Sequence, residues 1–190
     1  MPEVRQAVVM VGGKGTRLLP LTLTRPKPAM PVLDRPFLKY LIDALAAAGV
    51  KEVILAVGYK SDVLAHAIGD GSDMGVKIVY SDEDEPLGTG GAIKKLEDRL
   101  DDVFVAANGD TMNTLDVAAM VETHFRTGAD ITVSLAPVDD PSQFGVVVTD
   151  DKMRVTEFQD KPAKGEEISN LVNTGLYVIN KDVLGLIPAG

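Results

Sequence analysis

Residues 11–32 constrain this chain more than any other stretch, and they read VGGKGTRLLPLTLTRPKPAMPV. The apolar run over residues 7–11 has the length and β-branched content of a buried strand, and an amphipathic helical pattern begins near Phe37. The segment between them is therefore the first strand-to-helix connection. Gly12, Gly13 and Gly15 supply backbone without Cβ atoms, able to turn sharply and bring N–H groups against a phosphate. Lys14, Arg17, Arg25 and Lys27 lie in the same segment of a chain whose formal net charge is -9. Cations beside bare backbone amides suit a polyanion such as a nucleoside triphosphate. A glycine-rich first loop also occurs in α/β proteins with no ligand at it. Two named motifs fail: no G-x-x-x-x-G-K-[ST] follows, so this is not a P-loop, and Leu18 stands where a dinucleotide fingerprint needs its third small residue.

Strand and helix patterns alternate from the start, as in a parallel sheet with helices on both faces. Phe37, Leu38, Leu41, Ile42 and Leu45 share one helical face, with Gly49 beyond the last turn. A strand is expected over 52–57, a short helix capped by Ser61, a strand over 77–80, and a helix from the glycine cluster Gly88, Gly90 and Gly91 to about Leu100. Four acids at 82–85 read as a solvated turn. The strand 103–107 ends in Asn108-Gly109-Asp110, which puts Asp110 beyond the carboxyl end of a strand, although a lone Asp there also serves as a turn or cap residue. A helix over 115–125 is expected to bury Val117, Met120, Val121 and Phe125, with His124 packed at its flank and His66 on the surface. A strand follows at 131–137. Past Asp139 the strands shorten to 145–149 and 155–158 about a turn at Asp150, which is hairpin spacing, and a helix is expected at 180–188.

At 190 residues and 45% hydrophobic composition the chain can bury a sizeable core as one domain. It has no cysteine and two scattered histidines, so disulfides, thiolate chemistry and the usual zinc clusters are excluded, and any metal is expected to be a hard cation on carboxylates. The acidic balance argues against a nucleic-acid polymer as partner. No apolar run spans a bilayer and Pro2, Glu3 and Arg5 do not open a signal peptide, so no membrane association and a cytoplasmic location are the expectation.

Taken whole, the first stretch is far more specific than its glycines. Gly12-Gly13-x-Gly15-Thr16-Arg17-Leu18-x-Pro20-Leu21-Thr22, then Pro26-Lys27-Pro28 and Pro31-Val32, resembles the signature of the sugar-phosphate nucleotidyltransferases, the NDP-sugar pyrophosphorylases. Four later segments agree in order: Leu87-Gly88-Thr89-x-Gly91, Asn108-Gly109-Asp110, Phe144-Gly145-Val146 with Asp160-Lys161-Pro162, and Asn173-Thr174-Gly175-Leu176-Tyr177. Asp160 stands where the family usually has Glu. The resemblance implies a Rossmann-like, GT-A-like three-layer α/β sandwich with a mostly parallel sheet and a small β-rich sugar-binding subdomain, arranged as a nucleotide-binding half at 1–137 and a sugar-binding half at 138–190 of one domain.

The implied reaction joins an NTP and a sugar 1-phosphate into an NDP-sugar and pyrophosphate. The resemblance assigns the nucleotide to Val11, Gly12, Gly13, Lys14, Gly15 and Thr16, and its base to Leu87, Gly88 and Thr89. It assigns Arg17 to the triphosphate and departing pyrophosphate, Lys27 to the α-phosphate, Lys161 to the sugar phosphate, Gly145, Asp160 and Asn173 to the sugar, and Asp110 to Mg²⁺. The 21–28 run and the 158–162 element look most similar to mannose-1-phosphate guanylyltransferases, so GTP with mannose 1-phosphate is the first expectation. Thymidylyl or uridylyl transfer to glucose 1-phosphate is the alternative. The family carries a second metal-binding aspartate nearer the C-terminus, with a part that often makes homo-oligomers, and neither has a counterpart before Gly190. The chain thus reads as the front of a longer enzyme, or as one with an incomplete metal site. A non-catalytic nucleotide-sugar sensor stays open beside the enzyme, and a dinucleotide-dependent oxidoreductase is weakened by the broken fingerprint at Leu18.

Overall fold

The strands of the first half are apolar at nearly every position, as strands covered on both faces must be. The structure, a computed structural model, describes residues 3–13, 15–83, 85, 87–111 and 116–188. Its elements are β1 (Gln6–Met10), β2 (Pro31–Val32), β3 (Arg35–Pro36), α1 (Phe37–Ala47), β4 (Glu52–Val57), α2 (Ser61–Ile68), β5 (Lys77–Asp82), α3 (Gly88–Lys94), β6 (Val103–Asn108), α4 (Val117–Thr127), β7 (Ile131–Pro137), β8 (Gly145–Thr149), β9 (Val155–Asp160) and β10 (Leu171–Asn180). The chain divides into two compact units, one holding the residues up to Thr132 and those from Tyr177 on, the other Val133–Leu176. By sequence β10 runs through both.

In the first unit the strands lie in the order β5-β4-β1-β6, all parallel, with Val8 opposite both Ile54 and Ala106. Val8, Ile54, Phe104 and Ala106 face a core completed by Ile93, Leu96, Leu100, Ile179 and Leu184. The alternate residues Ala7, Val9, Val53, Leu55, Val105 and Ala107 are equally buried, so both faces are covered. Phe104 is wholly enclosed, and truncating such a ring to Ala typically costs about 3–5 kcal/mol. At the amino ends of the strands, Gln6 Nε2 donates to Glu52 Oε1 (2.8 Å) and to Arg99 O (3.0 Å), and Gln6 Oε1 accepts from Asp101 N (2.8 Å). Lys77 Nζ lies 2.8 Å from Glu52 Oε2, and these donors hold the Glu52 carboxyl below its ordinary range.

α1 buries Leu38, Leu41, Ile42 and Leu45 as its periodicity requires. Three helical expectations need correction. Ser61 does not cap α2: Lys60, at φ 56, takes the cap position and Ser61 is the first helical residue. α3 ends at Lys94 rather than near Leu100, because glycines at 88, 90 and 91 each cost about 1 kcal/mol relative to Ala, and the chain tightens into a 3₁₀ turn at Glu97–Arg99. α4 starts after Asp116, whose Oδ1 accepts from Ala119 N at 3.0 Å, and it buries Val117, Val121 and His124, while Phe125 is 40% exposed. His124 earns its place inside by hydrogen bonding. Its Nδ1 lies 3.0 Å from Thr132 Oγ1 and its Nε2 3.0 Å from Asn180 Oδ1, whose own Nδ2 donates to Ala129 O. His66 is exposed, as expected. The segment expected as a helix at 180–188 is the end of β10 followed by a 3₁₀ turn at Lys181–Leu186, anchored by buried Leu184.

In the second unit β8 and β9 form an antiparallel hairpin, and Val172 of β10 pairs with Val146 of β8. Ser134 of β7 hydrogen-bonds Thr174. Among the described residues no helix is long and apolar enough to cross a membrane.

Candidate functional site

All four parallel strands stop at one edge of their sheet, where ligands bind in open α/β folds. The segments leaving them wall a cavity of about 620 Å³, a size that suits a small molecule. β1 contributes Met10 and then Val11, Gly12 and Gly13; β4 is followed by Gly58 and Tyr59, and β5 by Glu83; β6 ends in Asn108 with Asp110 just beyond. Gly15, Lys27, Pro28, Gly88, Thr89 and Ala92 complete the wall.

Proline spacing shapes the segment that delivers Lys27. Pro20, Pro26, Pro28 and Pro31 each lack an N–H and disrupt a continuing helix, so the chain folds as three short 3₁₀ turns at Thr16–Leu18, Leu21–Leu23 and Lys27–Ala29. In the last, Ala29 N donates to Pro26 O (2.9 Å) and Met30 N to Lys27 O (3.0 Å), which fixes the backbone that carries Lys27. Gly15 sits at φ +61, a conformation that disfavours a side chain, and its carbonyl accepts from the buried Thr22 Oγ1 at 3.0 Å. Thr22 O in turn accepts from Tyr59 OH at 3.4 Å, tying the turns to the segment after β4.

Asp110 is placed by its neighbour. A Cβ on Gly109 would stand 2.3 Å from Val11 Cγ1, so only glycine lets this turn lie against β1. Gly109 N donates to Met10 O at 2.9 Å, and the turn leaves the Asp110 carboxylate on the cavity wall. There Asp110 Oδ2 lies 3.0 Å from Lys27 Nζ, with the two side chains 54% and 36% exposed. Residues 83 positions apart therefore form one ion pair at the strand ends. A hard cation such as Mg²⁺ takes one or two protein carboxylates and completes its shell with phosphate oxygens and water, and a half-exposed carboxylate in a polar cavity fits that use. Among the described residues no three acidic or histidine side chains gather into a protein-only metal cage.

In the second unit Gly145 lies directly opposite Asp160 across the β8–β9 ladder, and Lys161 N donates to Phe144 O at 3.2 Å. Lys161 is at φ 44, turning the chain out of β9. A Cβ on Gly145 would meet Phe158 Cζ at 2.9 Å, so the bare backbone there is occupied by an aromatic ring of the same hairpin. The turn before Phe144 is held by Asp140, whose carboxylate accepts from Ser142 Oγ (2.7 Å) and Ser142 N (3.2 Å) and is kept below its usual range by them. Asn173 Oδ1 accepts from Gly175 N at 2.9 Å.

Residues 6–188 match the family described as Nucleotidyl transferase. The chain belongs to this family. It is 43% identical over 185 residues to a mannose-1-phosphate guanylyltransferase of Mycobacterium tuberculosis, covering 97% of this chain and 51% of that protein. A UTP–glucose-1-phosphate uridylyltransferase of Synechocystis is 35% identical, with 97% and 51% covered. The chain thus spans about half the length of the curated relatives it matches. Among solved structures, HddC from Yersinia pseudotuberculosis complexed with GMP-PN superposes with a TM-score of 0.82 at 31% identity, covering 97% of this chain and 80% of HddC.

Read as a nucleotidyl transferase, the chain brings Val11, Gly12, Gly13, Gly15, Lys27, Gly88, Thr89 and Asp110 to one cavity. Thr16, Arg17 and Leu87 are exposed and do not line it, and Lys14 lies outside the described residues. Gly145, Asp160 and Lys161 meet on the hairpin of the second unit, while Asn173 belongs to β10. Sequence reasoning missed Gly58, Tyr59, Asn108 and Glu83 on the cavity wall. Their common signal is position: each ends a parallel strand or follows one within two residues.

Proposed function

We propose that this chain carries the reaction site of a sugar-1-phosphate nucleotidyltransferase, with GTP and mannose 1-phosphate as substrates. The observation that carries the proposal is the Lys27–Asp110 pair in the wall of a nucleotide-sized cavity, in a chain belonging to the nucleotidyl transferase family. Identity to a mannose-1-phosphate guanylyltransferase favours the guanine nucleotide. Identity to a uridylyltransferase supports a second reading, with UTP and glucose 1-phosphate.

In this reaction an oxygen of the sugar phosphate bonds to the α-phosphorus, the bond from that phosphorus to its bridging oxygen breaks, and pyrophosphate leaves with the electron pair. The nucleophile is already an anion, so no general base is needed. The protein must hold two polyanions together and neutralise charge as it spreads. Lys27 serves the α-phosphate as a point charge, Arg17 grips the triphosphate through its planar fork, and Lys161 holds the sugar phosphate, with Asp160 and Asn173 on the sugar hydroxyls. The bare backbone of Gly12, Gly13 and Gly15 takes the nucleotide. Asp110 would hold Mg²⁺, whose chemistry is to screen phosphate charge. The residues up to 137 serve the nucleotide and those from 138 on serve the sugar. The expected location is the cytoplasm.

The test is pyrophosphate release from GTP, mannose 1-phosphate and Mg²⁺, with omission of each component and with UTP or dTTP plus glucose 1-phosphate in parallel. Release that needs all three components is the expected result. Lys27→Met is expected to lower kcat/KM by about 100-fold, the scale for removing one group that stabilises transferring charge. Absence of pyrophosphate with every pair would overturn the proposal.

A further inference from the structure

Glu83 places a carboxylate in the wall of a cavity that has been assigned to a polyanion. It is half-buried, its backbone N donates to Val57 O at 2.7 Å, and among the described residues no hydrogen bond or ion pair engages its side chain. A carboxylate there repels phosphate, so it must face another part of the ligand. The strand order says which. Glu83 follows β5 and Asp110 follows β6, the two ends of the order β5-β4-β1-β6, and three inter-strand spacings put those strands about 14 Å apart. Lys27 stands at Asp110, so the phosphates belong at the β6 end. A nucleotide laid across the strand ends then carries its base toward β5. The floor between is bare: a Cβ added to Gly12 would come 3.5 Å from Glu83 Oε2, and one added to Gly58 would come 3.1 Å from Gly12 O.

We infer that Glu83 reads the nucleobase and selects guanine. An ionised carboxylate only accepts hydrogen bonds. Guanine offers N1–H and the 2-amino group as adjacent donors, which two carboxylate oxygens can take together. Uracil and thymine offer one N–H between two carbonyl oxygens. Adenine and cytosine set a ring-nitrogen lone pair beside their single amino donor. Only guanine meets both oxygens of Glu83 without turning a lone pair toward them. The inference rests on the nucleotidyltransferase reading and supplies the residue behind its choice of nucleotide.

Binding of GDP, IDP, UDP and dTDP, measured by calorimetry on the wild-type protein and on Glu83→Gln, tests it apart from turnover. IDP lacks the 2-amino group. The wild-type protein is expected to bind GDP more tightly than IDP, UDP or dTDP by on the order of 10- to 100-fold, the worth of one bidentate base contact. Gln presents one acceptor and one donor, which matches N3–H and O4 of uracil, so Glu83→Gln is expected to weaken GDP by a similar factor and to leave UDP equal or tighter. The IDP comparison needs no variant, so it stands even if Glu83→Gln fails to fold. A wild-type protein that binds IDP as well as GDP, or a variant whose GDP-to-UDP ratio stays within threefold of wild type, overturns the guanine inference alone. Failure of the wild-type protein to bind any of the four overturns the nucleotidyltransferase reading with it.

Discussion

Gly109 shows how much of the site hangs on one missing methyl group. Its ideal Cβ would also lie 3.0 Å from Val9 Cγ1 and 3.1 Å from Met10 O, so an added methyl has nowhere to go without moving β1 or the turn to Asp110. Gly109→Ala is expected to lower stability by about 1–3 kcal/mol in urea melts and to weaken nucleotide binding, since the displaced turn carries Asp110. Gly13→Ala is the matched control. A Cβ at Gly13 has nothing within 4 Å, so that variant should melt with the wild-type protein. Equal melting of the two variants would refute the placement of the 108–110 turn.

Among the elements, the β8–β9 hairpin depends on its turn. The Asp150 carboxylate accepts from the backbone N–H groups of Arg154 and Lys152 (both 2.9 Å) and from Arg154 Nε (2.8 Å), and Met153 there adopts φ 60. Those donors, the Arg154 backbone first, hold the carboxyl below its ordinary range. A depressed pKa contributes stability above the ordinary carboxylate range, and the contribution is lost as pH falls through the folded value. Asp150→Ala is therefore expected to speed hydrogen exchange at the β8 and β9 amides at neutral pH while α1 and β4 stay protected, and the wild-type hairpin should lose protection preferentially in acid. The parallel strands could be read from sequence because burial on both faces leaves a plain apolar run, and the hairpin because its turn residues bound it. The face of α4 could not. A 3.6-residue period puts both Phe125 and His124 near the apolar stripe, and Thr132 and Asn180, distant in sequence, supply the partners that send the histidine inward. Glu83 was hidden for a related reason. In a run of four acids it reads as solvated, and only the strand order turns it toward a cavity. The Lys27–Asp110 pair was legible through motif order, but its ion pair was not, because contact across 83 positions is a property of the assembled sheet.

At the scale of the whole molecule, alkaline stability is expected to follow Tyr80. Its hydroxyl donates to Gly69 O at 2.6 Å, and burial, with the Asp70 charge adding to it, pushes the phenol up to about 12. A raised folded value means the contribution is complete below about pH 10, the ordinary phenol value, and is lost as pH climbs toward 12, where the unfolded chain has already given up the proton. Thermal melts of the wild-type protein should drop across that interval, and Tyr80→Phe should flatten the drop; an unchanged profile in the variant would assign the loss elsewhere. The amino ends of the strands, where Gln6 joins Glu52, Arg99 and Asp101, lie at the opposite rim from the cavity. The chain has in effect separated its anchorage from its workshop. Heat tolerance can be tuned at the first rim while substrate choice drifts at the second, and neither change need wait on the other.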